Sequence, residues 1–330
     1  MADTAQAPLL AVRGLRVTFA APHATLTAVD GIDFDVAPGE VLGIAGESGS
    51  GKSVTLRAIL GLVRAPGRVS GQVLWRGRDL IGRPERELRR VRGGEIGIIF
   101  QEPMTALNPV LNVGLQILEN LKEHTTLDAT ARRARAIELL DLVGIPAAAS
   151  RLNDYPHQFS GGMRQRAMIA IALASNPKLL LADEPTTALD VTIQDQILKL
   201  ILRLRDELKM SVVLVTHDLG VIAQTCDRLA VMYAGRVAET GTVTALFRAP
   251  RHAYTLGLLN SVPRAGLIRQ PLASIPGQPP LLSQLPPGCA FAPRCRFASD
   301  DCKAAKPPLV EIAPFHASAC IHHDQVAAAR

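Results

Sequence analysis

An α/β fold built on a parallel sheet is predicted by three observations. A glycine-rich loop, Gly46 to Ser53, lies between a short apolar run and a helical pattern. Short apolar runs then alternate with helical stretches as far as His217. Residues 190–208 form the clearest amphipathic pattern, with Ile193, Ile197, Leu200, Ile201, Leu204 and Leu208 on one face. Alternation of this kind implies a parallel sheet covered by helices on both faces.

The elements follow in order. Leu10, Val12, Leu15, Val17 and Phe19, then Ile32, Phe34 and Val36, alternate as strands do. Val41 to Ala45 is an apolar run that reads as a buried strand, and Ser53 to Val63 reads as a helix. Gly71 to Trp75 and Ile96 to Phe100 are further strands, the second ending at Gln101. From about 103 to 177 the pattern turns helical. Asp128 or Thr130 can cap a helix running to Val143, where Gly144 and Pro146 stop it, and another helix runs from Gly161 to Ala174. Leu179 to Glu184 is an apolar strand ending in two carboxylates, and Val212 to His217 is another buried strand. Leu229 to Thr240 reads as a hairpin turning at Ala234-Gly235. His252 to Asn260 is helical, and prolines at 263, 271, 276, 279, 280, 286 and 287 mark an extended linker.

Composition sets bounds. The chain has 330 residues, 48% of them hydrophobic, enough for a large core, and only 4% aromatic, so Leu, Ile, Val and Ala fill it. No run approaches the length of a membrane span. The N-terminal stretch carries Asp3 and lacks a basic-then-apolar pattern, so a cytoplasmic chain is expected. The net charge of +6 permits an acidic partner. The basic clusters Arg83 to Arg92 and Arg132-Arg133-Arg135 lie in helical pattern, however, and read as solvated faces. Aromatics for stacking bases are not interleaved with them, and no nucleic-acid partner is expected.

The chemistry starts at the loop. Gly46, Glu47, Ser48, Gly49, Ser50, Gly51, Lys52 and Ser53 fit G-x-x-x-x-G-K-[ST], which wraps nucleotide phosphates. Glycines allow a nest of backbone N–H groups aimed at one anion, and the following helix N-terminus favours phosphate. Lys52 would reach the β- and γ-phosphates, and the Ser53 hydroxyl would hold Mg²⁺. Downstream, Asp183 offers a carboxylate on the Mg²⁺ side and Glu184 a neighbour able to polarise water. Ser160-Gly161-Gly162 opens a second helix N-terminus able to bind an anion. His217 ends a strand, where it could reach a γ-phosphate.

In this order the motifs resemble those of the ATP-binding subunit of an ABC transporter, over about Leu9 to Gly241. Gly46 to Ser53 resembles Walker A, Leu179 to Asp183 resembles Walker B, and Glu184 the catalytic glutamate. Gln101 resembles the Q-loop, Ala188-Leu189-Asp190 the D-loop and His217 the H-switch. Phe19, 27 residues before Gly46, takes the place of the adenine-stacking aromatic, and Val54 joins the nucleotide set. The signature reads Phe-Ser-Gly-Gly-Met at 159–163 instead of the commoner Leu-Ser-Gly-Gly-Gln, with the serine and glycines intact. Ser-Gly-Gly-Met-Arg-Gln-Arg, and the segment Arg251 to Leu259 with Ala253 at a usual proline, are similar to the oligopeptide/dipeptide and nickel importers.

The resemblance implies a P-loop NTPase of ABC type with a parallel core sheet, an antiparallel β subdomain and a helical subdomain at about 103–177. The ATPase domain would span 1–250, and 251–330 would be an extension ending in a small cysteine module. It implies ATP and Mg²⁺ as cofactors, with Ser53, Gln101 and Asp183 around the metal and Glu184, His217 and Gln101 as the catalytic groups. ATP would lie between Phe19 and the loop of one subunit and Ser160 to Gly162 of another. The partners would be a second, non-identical ATPase, two membrane permeases and an external binding protein, at the cytoplasmic face of the membrane. Peptides are the expected cargo, then nickel or glutathione. A nucleic-acid-maintenance ATPase shares the motor, but such proteins insert a long coiled coil. Here only about 100 residues separate Ser53 from Phe159, without sustained heptads.

Four of the five cysteines, Cys289, Cys295, Cys302 and Cys320, fall in the last 42 residues, spaced x5, x6 and x17. A module so poor in large apolar residues is expected to need a staple. A reducing compartment disfavours disulfides, and zinc usually brings tighter C-x₂₋₄-C pairs. Four thiolates at loose spacing suit an iron–sulfur cluster, leaving zinc, disulfides or free thiols as alternatives. The importer resemblance implies a [4Fe-4S] cluster there. Cys226 is expected to be a packed thiol.

Overall fold

The computed structural model describes residues 7–22, 24–187, 189–262 and 274–329. The strands are β1 (Leu10–Ala21), β2 (Ala24–Val36), β3 (Val41–Ala45), β4 (Gly67–Trp75), β5 (Arg78–Asp79) and β6 (Ile96–Ile99). They continue with β7 (Leu179–Asp183), β8 (Ser211–Val215), β9 (Arg228–Tyr233), β10 (Arg236–Thr242), β11 (Val310–Ala313) and β12 (His316–Ser318). The helices are α1 (Lys52–Ile59), α2 (Glu85–Val91), α3 (Pro103–Ala106), α4 (Val113–His124), α5 (Ala129–Leu142), α6 (Ala148–Arg151) and α7 (Gly161–Leu173). After them come α8 (Val191–Leu208), α9 (Leu219–Thr225), α10 (Val243–Arg248), α11 (Ala253–Asn260), α12 (Asp301–Ala304) and α13 (His323–Ala328). Two compact units result. One comprises Met1–Ala37, Val41–Ile81 and Val215–Arg330, the other Pro38–Glu40 and Gly82–Leu214.

In the first unit β2, β1, β4 and β5 form an antiparallel sheet in that order. Buried Leu10 and Val12 and then buried Leu15 and Val17 change phase across a register shift between Val12 and Leu15. Gly14, at φ 53°, turns the strand there, as a β-bulge does. The same unit sets β3 parallel to β9 and pairs β9 with β10 in a hairpin. Its turn is Ala234-Gly235, at φ 47° and 80°, the two left-handed residues that a tight hairpin favours.

The tail is held in part by strand pairing. β12 pairs antiparallel with β10 and β11 with β12, so residues 310–318 extend a sheet instead of standing alone. Tyr254, Phe291 and Val326 bury themselves against Leu229, Val231 and Leu246, so the tail shares a core with the strands it joins. Pro263 and Pro271 of the expected linker lie outside the described residues; Pro276, Pro279, Pro280, Pro286 and Pro287 lie in chain without regular structure.

The second unit sets β6 parallel to β7, with β8 beyond β7. β7 and β8 are buried along their whole length, as strands covered on both faces must be. α4, α5 and α7 pack against one another, and Ile117, Leu121, Leu139, Leu140, Ile169 and Leu173 on them are buried. Asp128 caps α5 by accepting from the Ala131 N–H at 2.8 Å, and Ser160 caps α7. The basic run in α2 is laced with ion pairs, Arg92 to Glu85 at 2.8 Å among them. α1 stops at Ile59, short of the expected Val63, because Gly61 at φ 60° leaves the helix. Among the described residues no helix is long and apolar enough to cross a membrane.

Candidate nucleotide site

The first unit carries the phosphate loop. β3 delivers the chain into Gly46 and α1 takes it away at Lys52. Gly46 sits at φ 154°, and a Cβ there would run into the Met232 carbonyl, so only glycine fits. The Lys52 ammonium turns back over the loop, donating to the Gly46 carbonyl at 2.7 Å and the Glu47 carbonyl at 3.0 Å, with Ser50 Oγ at 3.5 Å. The side chain of Lys52 is buried and preset on the loop it serves. Gly51 occupies the α1 N-cap without a capping side chain, and Ser53 and Val54 follow in the first turn. Such a helix start presents N–H groups to an anion. Ser48 and Gly49 are exposed at the loop tip. Phe19, half-buried near the end of β1, pairs with Leu26 and Gly67, and its ring lies where a Cβ on Gly67 would stand. His217 is exposed just beyond β8, followed by Asp218, which caps α9 by accepting from Gly220 and Val221.

The second unit carries the other motif residues. Asp183 ends β7 in full burial, and Glu184 follows at φ 45°, a left-handed conformation that costs a non-glycine residue about 1–3 kcal/mol. The Glu184 carboxylate accepts from Gln101 Nε2 at 3.2 Å and from the Thr187 hydroxyl at 2.8 Å. Gln101 and Glu184, 83 residues apart, are thus brought together. Ser160 and Gly161 are exposed at the start of α7, where Ser160 accepts from the Met163 N–H at 3.3 Å. Asp190 caps α8 by accepting from the Ile193 N–H at 2.9 Å; Leu189 precedes it, and Ala188 lies outside the described residues.

Three residues near these groups had not been singled out from sequence. Thr187 carried a signal, its spacing of three residues after Glu184. Tyr254 lay in the importer-like segment Arg251 to Leu259 but with no role at the loop, and Arg294 carried no signal: both reach Glu47 from more than two hundred residues away.

Cys289, Cys295, Cys302 and Cys320 all line one cavity of about 20 Å³. The Cys289 N–H donates to the Cys302 carbonyl at 2.7 Å, tying two of the segments together. Burial pushes the Cys289 and Cys295 thiols up and Cys320 up to about 11. None of the five cysteines is in a disulfide, and burial pushes Cys226, packed near Gly43, up to about 12. Among the described residues no group of three or more His, Cys, Asp or Glu converges closely enough for a single metal ion.

Comparison with known proteins agrees with this geometry. Residues 29–187 match the ABC transporter family, and residues 238–302 match the oligopeptide/dipeptide transporter C-terminal region. The dipeptide transport ATP-binding protein DppD of Escherichia coli is 51% identical, covering 94% of this chain and 96% of its own length. The oligopeptide transport ATP-binding protein OppD of the same organism is 48% identical, over 94% and 92%. Among solved structures, the dimeric post-hydrolysis state of the ATP-binding cassette MJ0796 with ADP and Pi superposes with a TM-score of 0.64 at 30% identity. It covers 71% of this chain and 98% of that one. Fold, motif geometry and relatives converge: the chain belongs to the ABC transporter family, as an ATPase of its oligopeptide/dipeptide-importer branch.

Proposed function

We propose that this chain hydrolyses ATP to drive uptake of di- and oligopeptides through a membrane complex, as a peripheral subunit at the cytoplasmic face. The observation that carries the chemistry is Glu184, held at positive φ beyond buried Asp183 with its carboxylate on Gln101 and Thr187. A carboxylate fixed in this way can orient and activate a water. Lys52 and the loop N–H groups bind the phosphates, Phe19 stacks on adenine, and His217 and Gln101 assist Glu184. Mg²⁺ is a hard cation and suits the oxygen donors of Ser53, Gln101 and Asp183. It would neutralise phosphate charge.

The division into an ATPase domain, 1–250, with a helical subdomain at about 103–177, and an extension, 251–330, belongs to the same proposal. Hydrolysis would need a second, non-identical ATPase, whose nucleotide faces Ser160, Gly161 and Gly162 of this chain, with Asp190 beside that boundary. The exposure of Ser160 and Gly161 supports this reading. Two permeases and an external binding protein complete the assembly. Peptide is the preferred cargo because the curated relatives are named for it. In proteoliposomes holding the whole assembly, di- and oligopeptides should stimulate ATP hydrolysis and nickel or glutathione should not. Stimulation by nickel or glutathione alone would reassign the cargo.

For the four clustered cysteines a [4Fe-4S] cluster is the proposed ligand. The four thiols line one cavity, as the thiolate ligands of a shared cluster would. When bound, the cluster would be held by the thiolates of Cys289, Cys295, Cys302 and Cys320 and would fasten residues 289–320.

A further inference from the structure

The nucleotide motif does not account for what surrounds Glu47, the first variable position of the phosphate loop. Every polar handle of this residue is engaged. Its N–H donates to the Tyr254 hydroxyl at 2.7 Å, and its carbonyl accepts from Lys52 at 3.0 Å. Its carboxylate accepts two bonds from Arg294, from Nη1 at 2.6 Å and from Nη2 at 3.0 Å. This is the paired geometry in which a guanidinium binds a carboxylate most strongly.

Arg294 is itself built in. Its side chain is only 5% exposed. Nε donates to the Pro276 carbonyl at 2.9 Å, and Nη1 also donates to the Tyr233 hydroxyl at 3.3 Å. The guanidinium lies 6.0 and 5.9 Å from the ring centroids of Tyr233 and Phe291. Tyr254 is fully buried and packs against the same two rings, so neither partner of Glu47 can drift. The contacts join residues 247 apart in sequence, and Arg294 lies outside the stretch that matches the ATP-binding family.

A carboxylate beside a triphosphate site is electrostatically adverse unless neutralised, and removing the buried guanidinium would leave the half-buried Glu47 carboxylate uncompensated. We propose that Arg294 is a positioning residue for ATP. Acting through Glu47, it cancels the carboxylate charge beside the phosphates, while the Tyr254 hydroxyl holds the peptide on which Lys52 rests. The tail is thereby part of the nucleotide site.

The proposal rests on ATP binding at the loop, which is tested separately by Lys52→Ala in the full-length chain. The main experiment measures ATP binding by the full-length chain, and KM and kcat in the assembled importer. Arg294→Met should weaken ATP binding by about 5- to 150-fold, raising KM while lowering kcat far less. Arg294→Lys should fall between the two. The decisive variant is the double substitution Arg294→Met with Glu47→Gln: with the charge removed, affinity should return to within about twofold of the parent. A merely structural role would give no such rescue. Should Arg294→Met fail to fold, the double variant still decides. Wild-type ATP affinity in Arg294→Met, or a folded double variant at least tenfold weaker than the parent, would overturn the proposal. Lys52→Ala binding ATP normally would instead indict the underlying reading.

Discussion

Glu184 stands one residue beyond the buried end of β7, at φ 45°, with Gln101 and Thr187 on its carboxylate. Glutamine can keep those contacts and cannot accept a proton. Glu184→Gln should therefore bind ATP normally and lose about 10²–10⁴-fold in turnover, the scale of a general base. Phe19→Ala should do the reverse. Stacking is worth about 1–3 kcal/mol, so ATP binding weakens by roughly 5- to 150-fold while the chemistry survives. Calorimetry and steady-state kinetics on the assembled complex separate the two. A Glu184→Gln enzyme with near-normal turnover, or a Phe19→Ala chain that loses stability yet binds ATP fully, would contradict these roles. The motif residues were legible because each is dictated locally: a nest needs glycine, and a strand end needs its carboxylates in succession. Arg294 was not legible, because its meaning comes from a partner far away in sequence.

At the scale of elements the same division holds. The Ala234-Gly235 hairpin, the α5 cap at Asp128 and the stop near Gly144 were legible from turn and cap chemistry. β1 was read as alternating straight through Leu10, Val12, Leu15 and Val17; the bulge at Gly14 that shifts its phase appears only when β2 and β4 fix the register. β11 and β12 were missed because Val310 to Ala313 is largely exposed and carries no clear alternation; the edge of β10 makes them strands. α11 provides a pH test. Its cap, His252, accepts from the Tyr254 N–H at 3.1 Å, and its own N–H donates to buried Glu239 at 2.9 Å. Burial pushes the His252 imidazole down from 6.5 to about 4, against the opposing pull of Glu239. Protons therefore bind the unfolded chain first. The stability this linkage governs is complete above about pH 6.5 and is lost as the pH falls toward 4. His252→Asn keeps an acceptor for the cap and removes the titration. Its unfolding free energy should fall less steeply than the parent's across that window. Equal slopes would show that His252 does not set the acid sensitivity.

The whole molecule adds two requirements that no single element shows. The tail joins the β10 edge and the core around Tyr254, so the four thiols are not its sole fastening. If they hold the proposed cluster, anaerobically purified protein should be brown, with iron and acid-labile sulfide. Serine at any one of Cys289, Cys295, Cys302 or Cys320 should bleach it, and Cys226→Ser should not. Colourless anaerobic protein with stoichiometric zinc would replace the cluster with zinc. The second requirement is a partner. Ser160 and Gly161 are exposed at a helix start, where they would face a nucleotide held by another subunit. The most direct test is ATP turnover by the purified chain at concentrations where it is demonstrably monomeric, compared with turnover after the second ATPase and the permeases are added. Alone, the chain should bind ATP and turn it over slowly, and the assembly should restore the rate. Full turnover by the monomer would contradict it.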